Sequence, residues 1–233
     1  MPLPSWLQTD AVTAVRHVFY LHGFASGAAS TKARWLAERL APLGVELLCP
    51  DFNLPDFSTL TVTRMIADVE RWLAQLDEGP VALIGSSLGA LVAYHAAAGQ
   101  PFTAARPIDR LILLAPALDI APSLRRGLGG ARVEQWQRDG ALDVYHFGYG
   151  EQRRVNYALF EDAERYDPFT TPLDLPILIF QGTRDDAVDP EMVKRFASGR
   201  SNVELHLLDD GHQLIASLPF IWERSVTFLG LKQ

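Results

Sequence analysis

The stretch VALIGSSLGALVAYHAAAG, residues 81–99, changes its pattern in the middle. Val81 to Ile84 form a short β-prone apolar run, whereas the leucines and alanines after the interruption suit a helix. Between them stands GSSLG, residues 85–89, a pentapeptide of the form G-x-S-x-G. Glycine at both ends permits a strand-to-helix turn that side chains would block, and such a turn holds the central hydroxyl above the sheet. The stretch therefore predicts a nucleophilic serine, Ser87, at the end of a buried strand.

The composition is that of a globular protein in a reducing compartment. The 233 residues are 48% hydrophobic and 21% charged, which fits one α/β domain. The formal net charge of −7 disfavours nucleic acid and anionic membrane surfaces as partners. A single cysteine, Cys49, excludes an internal disulfide, and MPLPSWLQTDAV at residues 1–12 lacks the pattern of a secretory signal. We therefore expect a cytoplasmic protein.

Residues 79–105 contain no acidic or basic side chain and are long enough to resemble a membrane span. A lipid-facing helix is disfavoured here by the polar Gly-Ser-Ser centre, by Pro80 and by His95. The sequence also offers no second apolar segment that would pair with it in a membrane. We interpret the run as a buried strand followed by a buried helix.

Short apolar runs alternate with amphipathic segments along most of the chain. The predicted strands cover residues 17–23, 45–52, 81–84, 110–118, 175–182 and 203–211. Helical patterns lie between them, as in residues 61–79, and a last one follows at 218–230. This order predicts a mostly parallel sheet with helices on both faces.

Residues 119–171 interrupt the alternation with a more charged and aromatic segment that shows no clear strand. Because ligands enter such sheets at the carboxyl ends of the strands, we predict a small helical lid over that end. Four aromatic residues of the lid are candidates for a substrate pocket, although such residues equally serve to anchor a cap. They are Trp136, Tyr145, Phe147 and Tyr149.

A serine hydroxyl needs a base and an orienting acid, and hydrolases built on a G-x-S-x-G turn carry them in the order Ser, acid, His. His212 follows the last predicted strand in LLDDGHQL. Asp185 and Asp186 follow the preceding strand in FQGTRDDAV, so either could be the acid. Backbone amides of Leu88 and Phe24 are the predicted oxyanion donors. No metal-ligand spacing or phosphate-binding glycine motif is present, so we expect no cofactor and no metal.

The segments YLHGF, GSSLG, QGTRDDAV and DDGH, in this order, resemble the α/β-hydrolase superfamily of serine esterases over nearly the whole chain. YLHGFASGAASTKARWLAERL is similar to the YqiA/YcfP-type esterases, and the later half resembles acyl-protein thioesterase and acyl-glucuronide esterase relatives. The resemblance implies an eight-stranded sheet with the lid after its sixth strand. Since little sequence precedes His17, we expect the first antiparallel strands to be shortened or missing. The G-x-x-D position of these relatives falls on Asp185, which selects it as the acid.

We therefore expect a single α/β-hydrolase domain, residues 1–233, with the lid at about 119–171. Its expected activity is hydrolysis of a small-molecule carboxylic ester or thioester through a Ser-His-Asp triad and an acyl-enzyme. The same triad also supports perhydrolysis and cofactor-free C–C cleavage, and a ligand-binding protein that kept the fold is a further alternative. The acyl chain, the leaving group and the oligomeric state are left open by the sequence.

Overall fold

The computed structural model of the chain describes residues 15–100 and 105–231. The described strands are β1 (His17–Leu21), β2 (Leu47–Leu48), β3 (Val81–Ser86), β4 (Ile108–Leu114), β5 (Ala141–His146), β6 (Glu151–Asn156), β7 (Ile177–Gly182) and β8 (Val203–Leu208). The described α-helices are α1 (Thr31–Leu40), α2 (Val62–Leu73), α3 (Leu88–Ala98), α4 (Ile120–Leu128), α5 (Gly130–Asp139), α6 (Ala158–Ala163), α7 (Pro190–Ala197) and α8 (Leu218–Phe228).

Six of these strands form one parallel sheet in the order β2-β1-β3-β4-β7-β8. Every residue of β3 and β7 is buried, as expected for strands covered on both faces. Alternate residues of β1 enter opposite cores, Phe19 and Leu21 on one side of the sheet and Val18 and Tyr20 on the other. The predicted fold, a mostly parallel sheet between helical layers, is confirmed.

The helix after β3 packs against the sheet at a distance that only glycine allows. A Cβ atom on Gly89 in α3 would lie 2.1 Å from the carbonyl oxygen of Leu21 in β1. A Cβ atom on Gly85 in β3 would lie 2.5 Å from the Ala90 Cα. The two glycines of the pentapeptide therefore set how closely α3 approaches the sheet, and so where the residue between them lies.

The segment between β4 and β7 differs in part from the predicted helical lid. It contains α4, α5 and α6, but also an antiparallel hairpin in which β5 pairs with β6 from Ala141–Asn156 to His146–Glu151. The expectation of a segment without strands was wrong. In β6 only Val155 is buried, so the hairpin lacks the alternation of apolar and polar residues that marks a strand in a sequence.

The insertion follows β4, the fourth strand of the described residues, whereas the resemblance placed it after a sixth strand. The described residues of the main sheet form parallel pairs throughout. Any antiparallel strand within residues 1–14 lies outside the described residues. Among residues 15–100 and 105–231, no helix has both the length and the apolar character needed to cross a membrane.

Candidate active site

Ser87 lies in the turn between β3 and α3 with φ 53° and ψ −117°, a backbone conformation that favours glycine. Three backbone hydrogen bonds hold it there. The Ser87 amide donates to the Leu114 carbonyl at 3.0 Å, and the Ser87 carbonyl accepts from Ala90 at 3.0 Å and from Ala117 at 3.2 Å. The strained turn is therefore fixed by β4 and its following loop as well as by the helix, as at many functional sites.

The loop after β1 lies directly beside this serine. A Cβ atom on Gly23 would lie 3.0 Å from the Ser87 Cβ and 3.7 Å from its Oγ. Phe24, the predicted oxyanion donor, is the next residue of this loop. Leu88, the other predicted donor, is the first residue of α3 and so has an amide without a partner inside the helix. One predicted donor thus follows the serine directly in the chain, and the other belongs to the loop that lies beside it in space.

His22 holds the loop in this position. Its Nε2 accepts from the Phe52 amide at 3.1 Å, which leaves Nδ1 as the nitrogen that donates to the Gly23 carbonyl at 2.9 Å. The ring is buried against the Phe52 ring, with centroids 5.1 Å apart. This side chain belongs to the scaffold around the serine, because both ring nitrogens are already bonded.

His212 and Asp185 form a close pair on two neighbouring loops. The His212 Nδ1 lies 2.9 Å from Asp185 Oδ2 and 3.1 Å from Oδ1. The Asp185 side chain is 0% exposed and that of His212 is 18% exposed. Of the two adjacent acidic candidates, Asp185 therefore contacts the histidine, while Asp186 is exposed. With Nδ1 taken by the carboxylate, Nε2 is the nitrogen left for a proton from a serine.

Further donors surround the Asp185 carboxylate. Gln181 Nε2 donates to Oδ2 at 2.9 Å, and the amides of Ala187 and Val188 donate to Oδ1 at 2.9 and 2.8 Å. Burial raises the pKa of Asp185, but the His212 contact and the Val188 amide outweigh it and hold the pKa below its ordinary value. The carboxyl group is therefore ionised beside the imidazole at neutral pH.

The loop that carries His212, residues 209–217, is held by contacts that the sequence analysis did not identify. Asp210 accepts from the Gly211 amide at 2.7 Å and from the Ser217 amide and hydroxyl at 3.0 and 2.9 Å. The Lys32 ammonium donates to the Gln213 carbonyl at 3.1 Å. No local pattern marks Lys32, because it acts on a residue 181 positions away that only folding brings near. Gln181 lies four residues before Asp185, within the same quoted motif.

The hairpin of the insertion is fixed to the loop after β1. His146 Nε2 donates to Asn53 Oδ1 at 3.0 Å, since its Nδ1 accepts from the Tyr149 amide at 3.1 Å. Asn53 Nδ2 in turn donates to the Ser26 carbonyl at 2.8 Å, and the Gly148 amide donates to a neighbouring carbonyl of the same loop at 3.3 Å. The hairpin tip is therefore tied to the same loop that lies beside the serine.

A groove of about 330 Å³ lies between this hairpin and residues 53–58, with Tyr149, Arg153 and Arg154 on the hairpin side. Tyr149 thus lines an open space on the hairpin. Tyr145 and Phe147 stack edge to face at the hairpin tip, where Phe147 is 79% exposed. Trp136 does not line an open surface. It is 2% exposed and donates from Nε1 to the Val155 carbonyl at 3.1 Å inside the insertion.

Within the described residues, no group of three or more His, Cys, Asp or Glu side chains is placed to hold a metal ion. The side chains at this edge of the sheet include a hydroxyl, an imidazole and a carboxylate, which are the groups that nucleophilic catalysis by a serine uses. The backbone amides beside them can donate hydrogen bonds to an oxygen that develops negative charge.

Three known proteins are similar to this chain in sequence or in fold. The chain is 25% identical over 180 residues to the mitochondrial palmitoyl-protein thioesterase ABHD10 of Bos taurus, and the match covers 73% of this chain and 57% of that one. The mouse α/β hydrolase domain-containing protein 10 superposes with a TM-score of 0.73 at 22% identity, covering 94% of this chain and 91% of that chain. Est1E from Butyrivibrio proteoclasticus, in a structure with ferulic acid bound, superposes with a TM-score of 0.76 at 22% identity, covering 93% and 88%.

The two superposed structures have the same fold as this chain. The shared region spans 57% of the bovine thioesterase, so this chain covers little more than half of that protein's length. A family model matches residues 17–223, from the first strand of the sheet into α8, and so includes the serine turn and both loops of the His212–Asp185 pair. The chain has the α/β-hydrolase fold and belongs to the uncharacterised protein family UPF0227.

Proposed function

We propose that the protein is a serine hydrolase that cleaves a carboxylic ester or thioester of a small molecule. The observation that carries the proposal is the buried Asp185 carboxylate, 2.9 Å from His212 Nδ1, at the same edge of the sheet as the strained Ser87 turn. A carboxylate on Nδ1 fixes the tautomer in which Nε2 accepts a proton. This is the arrangement that a serine nucleophile requires.

In the proposed reaction, His212 Nε2 takes the hydroxyl proton as Ser87 Oγ attacks the carbonyl carbon. The Phe24 and Leu88 amides donate to the oxyanion, and Asp185 stabilises the imidazolium. His212 then protonates the leaving alcohol or thiol as the tetrahedral intermediate collapses to an acyl-enzyme. A water molecule, deprotonated by His212, attacks the acyl-enzyme and releases the carboxylic acid and the free serine.

The insertion, residues 119–171, is proposed to select the substrate. Its support is the groove of about 330 Å³ beside Tyr149, together with the hydrogen bonds that tie the hairpin to the loop next to Ser87. The palmitoyl-protein thioesterase among the relatives supports a thioester substrate. Ferulic acid bound to Est1E, a carboxylic acid of the kind that ester hydrolysis releases, supports an ester substrate. The net charge of −7 and the single cysteine support action in the cytoplasm.

A fluorophosphonate probe and a substrate panel test the proposal. The probe is expected to label Ser87, and Ser87→Ala is expected to lose the label and about 10⁴- to 10⁶-fold in kcat. Ser86→Ala, a change one residue earlier in the same turn, is the matched control and should keep the label. Labelling that persists in Ser87→Ala would contradict the assignment.

The panel pairs p-nitrophenyl esters with acyl-CoA thioesters of equal chain length. A higher kcat/KM on one series identifies the preferred leaving group. The chain length with the highest kcat/KM identifies the acyl chain that the site prefers. Tight binding of a panel member without turnover or probe labelling would contradict an enzyme and support the ligand-binding alternative.

A further inference from the structure

Lys32 is a buried cation attached to the loop of the histidine. It is the second residue of α1, only 7% exposed, and its ammonium donates to the Gln213 carbonyl at 3.1 Å. Gln213 directly follows His212, and the hydrogen bond spans 181 residues of sequence. Lysine is among the residues that are almost never buried unless they are paired, because removing the ammonium from water is costly. The burial of this side chain therefore calls for a compensating interaction.

The charges of two carboxylates offset part of this cost. They are Asp185, from the loop after β7, and Asp210, from the loop after β8. Burial lowers the pKa of Lys32 to about 8, while the negative charges of Asp185 and Asp210 act in the opposite direction. Lys32 is therefore still mainly protonated at neutral pH. Asp185 thus contacts the His212 imidazole and also interacts electrostatically with the Lys32 ammonium.

The charges of Lys32 and Asp185 have opposite effects on a neighbouring imidazole. An unbalanced carboxylate next to an imidazole favours the protonated imidazolium, which cannot accept a proton from a serine. A buried cation near that carboxylate opposes a second positive charge at the same place. The cation therefore favours the neutral imidazole, the form in which Nε2 can act as a base.

We propose that Lys32 is a positioning residue for the reaction: its buried ammonium holds the 209–217 loop through Gln213 and opposes a second positive charge beside Asp185, so that the His212 imidazole is correctly placed as a base. This inference rests on the proposed function. Lys32 itself touches neither the substrate nor the reacting atoms, and it acts through the pair that does.

Two substitutions separate the hydrogen bond from the charge. Lys32→Met removes both, whereas Lys32→Gln removes the charge and keeps an N–H donor. Both variants are expected to move the acid limb of the kcat/KM profile to higher pH, by about half a unit or more. Lys32→Met is also expected to lower kcat more than Lys32→Gln, because the loop then has no anchor at Gln213.

Lys194→Met is the matched control. It removes the same charge from an exposed lysine that pairs with Glu191 at 2.6 Å on α7, and it should leave the profile unchanged. An acid limb that does not move in either Lys32 variant, even with lower kcat, would overturn the proposal and leave Lys32 as ordinary scaffold. Urea unfolding of each variant establishes that the proteins compared are folded.

A second readout does not depend on turnover. Proton NMR of the wild type, with the His212 signal assigned from its loss in His212→Gln, follows the protonation of this ring directly. The titration midpoint is expected to rise in Lys32→Met and Lys32→Gln but not in Lys194→Met. An unchanged midpoint overturns the role of Lys32, whereas a shifted midpoint in a protein that neither labels nor hydrolyses overturns the proposed function alone.

Discussion

At the scale of single residues, the candidate site depends on which of two adjacent carboxylates meets the histidine. Asp185 points inward, where it contacts His212 and accepts two backbone amides of its own loop. Asp186 is exposed. The side chains of neighbouring residues on a loop point in different directions, so only one of them can occupy the position next to Nδ1.

We predict that Asp185→Asn lowers kcat at least about a hundredfold, because the imidazole loses the acceptor that fixes its tautomer. Asp186→Asn, the matched control, should cost less than about tenfold. Steady-state kinetics on the best ester of the panel measures both, with circular dichroism to verify folding. If Asp186→Asn had the larger effect, the assignment of the acid would be wrong.

At the scale of elements, the approach of α3 to the sheet positions Ser87. We predict that Gly89→Ala lowers the free energy of unfolding by about 1–3 kcal/mol, since the new methyl would meet the Leu21 carbonyl oxygen at 2.1 Å. It should also lower kcat, because Ser87 would move with the helix.

Gly130→Ala is the control for this change. Gly130 begins α5 and a Cβ atom there would have no neighbour within 4 Å, so the variant should be as stable as the wild type or up to about 1 kcal/mol more stable. Urea unfolding compares the two variants. Equal stability of Gly89→Ala and the wild type would show that the helix can shift without cost.

Some aromatic residues of the insertion are packed inside it, and others lie at its surface. Trp136 packs edge to face on Tyr157 and Phe160, whereas Phe147 and Tyr149 lie at the hairpin tip and the groove. We predict that Trp136→Ala lowers the free energy of unfolding by about 3–5 kcal/mol.

Tyr149→Ala should change the ratio of kcat/KM between short and long acyl chains and leave stability nearly unchanged. If Tyr149→Ala kept the parent ratio across the panel, the groove would have no role in selection.

At the scale of the whole molecule, the buried lysine links the stability of the fold to pH. The pKa of Lys32 is about 8 in the folded protein, below its ordinary value of 10.5. Between these values the unfolded chain binds more protons than the folded chain, so the contribution of Lys32 to the free energy of unfolding rises with pH.

We predict that the difference in unfolding free energy between the wild type and Lys32→Met shifts in favour of the wild type as pH rises from about 8 to about 10. The comparison cancels the titration of other groups, which both proteins share. Urea unfolding at several pH values measures the difference, with Lys194→Met as the control. A constant difference over this range would show that Lys32 has the same pKa in the folded and unfolded states.

The sequence by itself determined the parallel sheet and the chain order of the candidate residues. Continuous apolar runs such as residues 177–180, set between helical patterns, favour strands buried on both faces, and the glycines around Ser87 mark a turn that needs them. These are local properties, carried by residues close together in the chain.

Tertiary structure decided the features that depend on contacts between residues far apart in the chain. It brought Asp185 into contact with His212, attached Lys32 to Gln213, and formed the β5–β6 hairpin from strands with little apolar alternation. The hairpin is stabilised through His146 and Asn53, which are 93 residues apart. A local pattern cannot encode such contacts, because their free energy appears only when the chain has closed the loops that separate the partners.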